Sequence, residues 1–194
     1  MIYALVGASG AGKTTLLHNL IQKLPEAQPL LSFTTRGKRP NDVDGEYEYV
    51  SEGNFDTMQA ADEFLWTAGA RGKRYATRKS DVEQALAEGL YFPILVPDVL
   101  KTLHEFAFCR GKQKSLHFIY LRLEDEDEQA RRLTERGDSP ESIQKSLSES
   151  KLWNEQAQTL GIRLTVIDAA QSPKKICEAA LAIIEHEESA AATS

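Results

Sequence analysis

The sequence has few cysteines, no surplus of basic residues and no long apolar run. Its two cysteines, Cys109 and Cys177, lack CxxC or Cys/His spacing, which argues against a disulfide scaffold and against a cysteine zinc site. The formal net charge of −6 argues against binding to a nucleic-acid polymer. No apolar stretch approaches the roughly 20 residues of a membrane span. The start of the chain lacks the features of a signal peptide, so we expect a cytoplasmic protein without membrane contact.

Strand-like and helix-like segments alternate along a chain that has the length of one domain, 194 residues. Apolar segments bounded by helical sequence predict buried strands at residues 2–6, 91–96, 116–123 and 163–167. This pattern is typical of an α/β fold with a mainly parallel sheet flanked by helices. We predict a single domain over residues 1–186 and a flexible tail over residues 187–194. The charged stretches at 34–78 and 126–150 interrupt the alternation and predict a substrate-binding insertion and a helical lid.

A phosphate-binding motif follows the first strand. Residues Gly7-Ala8-Ser9-Gly10-Ala11-Gly12-Lys13-Thr14 match the P-loop pattern GxxxxGK[ST], and an amphipathic helix begins at about Lys13. Such a loop directs consecutive backbone N–H groups at nucleotide phosphates, and the helix adds its positive N-terminal end. Lys13 would reach the β- and γ-phosphates, and the Thr14 hydroxyl would ligate Mg²⁺. The predicted ATP-binding residues are Ser9, Gly10, Ala11, Gly12, Lys13, Thr14 and Thr15.

Further motifs resemble guanylate kinases, in the same order along the chain to about residue 186. Residues 33–40 and 44–51 resemble the segment of that family that binds the acceptor phosphate, and residues 132–137 resemble its lid. The resemblance implies a P-loop NTPase fold and phosphoryl transfer from ATP to a small phosphorylated acceptor, with GMP or dGMP as the family default. It also implies that the acceptor phosphate is held by Arg36, Arg39, Tyr47 and Tyr75. Guanidinium groups meet a phosphate bidentately, and phenols donate without adding charge.

The resemblance also assigns catalytic roles. Arg132 and Arg136 match the first two lid arginines, which would stabilise the charge on the transferring group. The third falls on Ser146, so either the neighbouring Lys145 replaces it or the lid is weaker. Asp98 matches the second acidic position of the family's Ile-Leu-Asp-x-Asp strand and would hold Mg²⁺ through water.

The base-reading positions depart from guanylate kinase. That family contacts guanine with a serine, a glutamate and an aspartate, and the aligned residues here are Phe33, Trp66 and Val96. Thr77 completes the predicted acceptor site. A buried donor without a partner costs roughly 1–3 kcal/mol, so this set would recognise guanine poorly. Aromatic residues at these positions could also stack on a base without reading its edge.

Other interpretations of these positions remain open. In one, the alignment is shifted locally, and Ser32, Glu63 or Asp98 reads the base. In another, the acceptor is a sugar phosphate, because ribose 1,5-bisphosphate kinases are guanylate-kinase-like and also carry apolar residues here. A third hypothesis is a protein-binding module of the family without catalysis, although the intact P-loop argues against it. The sequence does not predict an oligomeric state.

Overall fold

A computed structural model describes residues 1–40, 42–70 and 72–192. Within these ranges the strands are β1 (Ile2–Gly7), β2 (Ala27–Gln28), β3 (Ser32–Thr34), β4 (Tyr47–Tyr49), β5 (Phe64–Ala70), β6 (Lys73–Arg78), β7 (Leu90–Tyr91), β8 (Ile94–Leu95), β9 (Leu116–Arg122) and β10 (Thr165–Asp168). The α-helices are α1 (Lys13–Lys23), α2 (Glu52–Ala60), α3 (Lys79–Ala87), α4 (Leu100–Phe108), α5 (Glu126–Glu135), α6 (Pro140–Thr159) and α7 (Pro173–Ala192). None of the described helices is long and apolar enough to cross a bilayer.

The larger sheet is parallel and has the strand order β10-β9-β1-β7-β2, with β8 also paired to β1. Successive side chains of the central strand β1 face opposite sides, because a strand repeats every two residues. Tyr3 and Leu5 pack with residues of α1 and α7 on one side. Ile2, Ala4 and Val6 pack with residues of α3 and α4 on the other side. Both faces are therefore covered by helices, and the predicted fold class is confirmed.

The smaller sheet has the order β4-β3-β6-β5. Its strands β4, β5 and β6 lie within residues 34–78, the stretch predicted to be an insertion. The pairing of β3 with β4 is parallel, and the other pairings of this sheet are antiparallel. Its apolar side forms a separate small core from Phe33, Phe55, Phe64 and Ala76. This second core supports β3 and β6 next to the carboxyl end of the larger sheet.

The structure differs from the sequence-based predictions at several boundaries; the strand predicted at 163–167, for example, is observed as β10 at Thr165–Asp168. The strand predicted at 91–96 is split into β7 and β8 by Pro93, which has no N–H to donate, although its carbonyl accepts from Leu5 N at 2.8 Å. The helical part of the lid extends beyond residue 150, because α6 ends at Thr159. Helix α7 continues through the first six residues of the predicted flexible tail, whereas residues 193 and 194 lie outside the described ranges. The domain boundary at residue 186 stays a prediction.

Candidate active site

A cavity of about 1370 Å³ lies where β1 ends and the P-loop begins. It is lined by the P-loop, the smaller sheet, the lid and the loop before α7. Sites for one drug-sized ligand usually measure about 300–1,000 Å³, so this cavity has room for two substrates. The predicted site residues that line it are Ser9, Gly10, Gly12, Lys13, Thr14, Thr15, Arg36, Arg39, Tyr47, Trp66, Tyr75, Thr77, Val96, Arg132 and Arg136.

The P-loop has the backbone geometry that its glycines predict. Gly10 and Gly12 have φ values of +87° and +93°, which a residue with a side chain adopts only under strain. Gly12 is the N-cap of α1, so the first N–H groups of that helix are directed towards the cavity. The Lys13 ammonium donates to the carbonyl oxygens of Gly7 and Ala8 at 2.6 and 2.8 Å. These groups together fit the phosphates of a nucleoside triphosphate. The Thr14 residue lines the same cavity, and its hydroxyl would be available to ligate Mg²⁺.

Ala11, which the sequence assigns to ATP, does not line the cavity. Its side chain is fully buried in the core with residues of α1, and its N–H donates to the Ala8 carbonyl at 3.2 Å. Ala11 therefore supports the turn of the loop from inside.

An ion pair organises the predicted acceptor-phosphate end. The two terminal nitrogens of Arg36 donate to the two carboxylate oxygens of Asp42, each at 2.7 Å, and both side chains are buried. The Arg36 guanidinium carbon lies 4.4 Å from the centre of the Tyr47 ring. The rings of Tyr47 and Tyr75 meet edge to face at 6.2 Å. The structure thus brings Arg36 together with both predicted tyrosines, and adds Asp42, which the sequence analysis did not assign.

These contacts shift the charge equilibria of the cluster. Burial would raise the pKa of Asp42, but hydrogen bonds from Arg36, from the Tyr49 hydroxyl and from the Arg39 backbone N–H outweigh it and lower the pKa to about 2. Burial and the neighbouring Glu46 raise the pKa of Tyr47, so this phenol stays neutral and able to donate. Because Asp42 already occupies Arg36, the exposed side chain of Arg39 is better placed to meet an incoming phosphate.

At the predicted base end, Ser32 lines the cavity and Phe33 does not. The hydroxyl oxygens of Ser32 and Thr77 lie 3.4 Å apart, whereas Phe33 is 2% exposed and packs against Phe64 in the small core. Neighbouring residues of β3 face opposite sides, so a shift of one residue exchanges a cavity position for a core position. The assignment of Phe33 to the acceptor site is therefore corrected to Ser32, one of the alternatives that the sequence left open.

Glu63 and Asp98, the other two residues considered as readers of the base, do not line the main cavity. Glu63 is exposed and does not line the main cavity. Asp98 lies in a short 3₁₀ turn and lines a different cavity of about 310 Å³, together with Lys101 and residues of α6. This position does not fit the predicted roles of Asp98 in catalysis and metal binding. Among the described residues, no group of three or more His, Cys, Asp or Glu side chains is placed to hold a metal ion.

Two apolar side chains, Trp66 and Val96, line the main cavity as predicted. Trp66 is 8% exposed, and its backbone pairs with that of Thr77 in the smaller sheet. Val96 follows β8 at the carboxyl end of the larger sheet. Trp66 and Val96 therefore add an indole and an isopropyl group to a cavity that the hydroxyl-bearing residues Ser32 and Thr77 also line.

The lid helix α5 lies against the P-loop. The Arg132 guanidinium donates to the Gly10 carbonyl at 3.3 Å, and that of Arg136 donates to the Ser9 hydroxyl at 3.1 Å. Glu128 accepts from Arg132 at 2.7 Å, and hydrogen bonds from Arg131 and Arg132 lower its pKa to about 2. The lid arginines are thus held by carboxylates at the edge of the cavity.

The third lid arginine has no replacement at the predicted positions. Ser146 is buried, and its hydroxyl donates to the Ser142 carbonyl at 2.9 Å. Lys145 is exposed, lies 4.0 Å from Glu149 and does not line the cavity. Arg131 does line the cavity. Its position next to Arg132 on α5 is the sequence signal that could have identified it as a further cavity residue.

The donor end contains residues for which the sequence offered no motif. They belong to α1, to the loop after β10 and to the start of α7, and the cavity brings them together. These lining residues are His18, Gln22, Ala170, Gln171, Ser172, Pro173 and Ile176.

Comparison with known proteins agrees with this geometry. The family model described as guanylate kinase matches residues 1–178. A guanylate kinase of Thermobifida fusca is 34% identical over 182 residues, which cover 93% of this chain and 88% of that protein. One from Desulfitobacterium hafniense is 35% identical over 151 residues, 76% of this chain and 72% of that protein. The crystal structure of a guanylate kinase from Anaplasma phagocytophilum has the same fold, with a TM-score of 0.62 at 19% identity, and the match covers 97% of this chain and 85% of that one.

The fold, the P-loop and these relatives define a P-loop phosphotransferase. The chain belongs to the guanylate kinase family, and it is an ATP-dependent kinase.

Proposed function

We propose that this kinase transfers the γ-phosphoryl group of MgATP to a nucleoside monophosphate, including GMP and dGMP, with little selection for guanine over other bases. One observation carries the proposal: Trp66 and Val96, which would meet the acceptor, line the same cavity as the P-loop. The relatives in the comparison are named guanylate kinases, which supports GMP as one of the acceptors.

The donor half would work through the P-loop and the lid. Backbone N–H groups at the start of α1 and the Lys13 ammonium bind the phosphates, and Thr14 holds Mg²⁺, which neutralises phosphate charge when it is bound. To reach the phosphates, Lys13 gives up its bonds to the Gly7 and Ala8 carbonyls. Arg132 and Arg136 then stabilise the charge that spreads over the transferring group.

The acceptor half would hold a phosphate monoester at its arginine and tyrosine end. Arg39 supplies an exposed guanidinium, and Tyr47 and Tyr75 supply phenolic hydroxyls. Arg36, held by Asp42, packs over the Tyr47 ring and fixes its position. A group with two negative charges is favoured here over an uncharged hydroxyl compound.

The base end would accept more than one base. A hydroxyl both donates and accepts, so Ser32 and Thr77 can adapt to different base edges. An indole stacks on any aromatic ring, because stacking does not read the ring's edge. Sites that require a specific polar partner discriminate by about 10⁴ to 10⁵, and neither Trp66 nor Val96 has an acceptor for the N1–H and amino group of guanine.

A phosphorylated sugar is the second candidate acceptor. The apolar character of Trp66 and Val96 favours it, since a sugar phosphate needs no base-reading carboxylate. The flat indole surface favours a nucleotide more strongly, because a base would bury it by stacking.

An ADP-release assay with MgATP tests the proposal, with GMP, dGMP, AMP, CMP, UMP and ribose 1,5-bisphosphate as acceptors. We expect turnover of GMP and of at least one other nucleoside monophosphate, and none for the Lys13→Ala variant with an unchanged circular-dichroism spectrum. Turnover of the sugar phosphate alone would replace the proposal by the second candidate. Turnover of none of these acceptors would contradict both.

A further inference from the structure

Gln129, on the lid helix α5, is buried against the P-loop. Its side chain is 1% exposed, and its amide nitrogen donates to the Ser9 carbonyl at 2.8 Å. It does not line the main cavity. A buried polar side chain is retained at low cost only when it is hydrogen-bonded, so this contact fixes where the side chain lies.

One turn further along α5, Leu133 also lies next to the P-loop. A Cβ atom placed on Gly10 would lie 3.3 Å from Leu133 Cδ2 and 3.5 Å from Gln129 Cγ. The absence of a side chain at Gly10 therefore lets α5 approach the loop closely. Gln129 and Leu133 together set the distance and rotation of α5 relative to the P-loop.

The lid arginines share this face of the helix. Arg132 and Arg136 follow Gln129 by three and seven residues, the spacing of side chains that lie on one side of an α-helix. They contact Gly10 and Ser9 of the same loop. A rotation of α5 that broke the Gln129 bond would turn both guanidinium groups away from the cavity.

The Gln129 bond is compatible with bound ATP. Its acceptor is a carbonyl oxygen, whereas a P-loop binds phosphate through its N–H groups, so the amide and the nucleotide use different atoms. The contact of Arg132 with the Gly10 carbonyl is longer, at 3.3 Å, and can be exchanged for a phosphate oxygen. Gln129 can thus stay in place while the arginines move onto the substrate.

We propose that Gln129 is a positioning residue for phosphoryl transfer. Its hydrogen bond to the Ser9 carbonyl holds α5 so that Arg132 and Arg136 face the transferring group. The inference rests on the proposed role of these arginines in the reaction.

The first test replaces Gln129 by leucine, which has a similar size and no donor. We expect kcat to fall about threefold to tenfold, the value of one neutral hydrogen bond, with the KM for ATP and for GMP within twofold of the wild type. The matched control is Gln144→Leu, an exposed glutamine of the second lid helix, which should leave kcat unchanged. An unchanged kcat in Gln129→Leu would overturn the inference.

A second measurement separates positioning from general stability. In an Arg132→Ala, Arg136→Ala background, Gln129→Leu should lower kcat less than twofold further, because both groups that it positions are gone. A full threefold to tenfold loss in that background would mean that Gln129 acts independently of the two arginines. If Gln129→Leu does not fold, Gln129→Met keeps the unbranched shape, removes the donor without adding a charge and carries the same expectation.

A third readout needs no turnover. Hydrogen exchange of the backbone amides of α5 in nucleotide-free protein should be faster in Gln129→Leu than in the wild type and unchanged in Gln144→Leu. Equal exchange in all three proteins would refute the inference even if the kinase is inactive with every acceptor tested. Faster exchange without turnover would instead refute the proposed function alone.

Discussion

Replacing Asp42 by asparagine removes the charge that holds Arg36 and keeps the shape of the side chain. The pKa of Asp42 lies at about 2 instead of 3.8, and a shift of that size corresponds to about 2 kcal/mol of folding free energy. Loss of one partner of a buried ion pair costs up to about 5 kcal/mol, because the other charge is left uncompensated. We expect Asp42→Asn to lower the free energy of unfolding at pH 7 by about 2 to 5 kcal/mol.

Urea unfolding followed by tryptophan fluorescence measures this difference, and its pH dependence identifies the cause. A carboxyl group whose pKa is lower in the folded state stabilises fully above its unfolded pKa and loses that effect as the pH falls through the folded pKa. The part of the difference due to this pair should therefore stay constant from pH 7 to pH 5 and shrink to roughly half at pH 3.

The matched control is Asp44→Asn. Asp44 is almost fully exposed, and its contact with Lys38 is 3.6 Å long, so this change should leave the unfolding free energy unaltered. A destabilisation by Asp42→Asn below about 0.5 kcal/mol at pH 7, or a difference that is the same at pH 3, would refute the role of the pair.

Two further predictions concern the acceptor. Arg39→Ala should raise the KM for GMP about tenfold to a hundredfold and leave the KM for ATP unchanged, because a charge-assisted contact to the acceptor phosphate is lost. The control is Lys38→Ala, since Lys38 does not line the cavity. An equal rise of KM for both substrates would argue against this role of Arg39. The double variant Trp66→Glu, Val96→Asp should raise the ratio of kcat/KM for GMP to kcat/KM for AMP at least tenfold. An unchanged ratio in a variant that shows a cooperative thermal unfolding transition would show that these positions do not face the base.

Local patterns were sufficient to predict the P-loop and the elements on either side of it. The P-loop, its helix and the parallel strands each depend on residues that are neighbours in sequence, and the structure places them as expected. Arg36, Tyr47 and Tyr75 also come together, since Tyr47 and Tyr75 lie on the two strands that flank β3 and Arg36 follows β3.

The remaining features depend on long-range geometry. A register difference of one residue decides whether Ser32 or Phe33 faces the cavity, and the alternating pattern of a three-residue strand is too short to fix it. Asp98 follows a proline that starts a 3₁₀ turn, which directs it to the other cavity. The contact of Gln129 with Ser9 joins residues 120 positions apart, and no local pattern indicates such a pair.

The ratio of kcat/KM for GMP to kcat/KM for AMP, measured with the wild-type kinase and MgATP, tests the central claim most directly. A base end formed by Trp66, Val96, Ser32 and Thr77 should give a ratio within about a hundredfold of one, because none of these residues offers a carboxylate to guanine. A ratio of about 10⁴ or more would contradict the account, since it would require a carboxylate partner for guanine that none of these four residues offers.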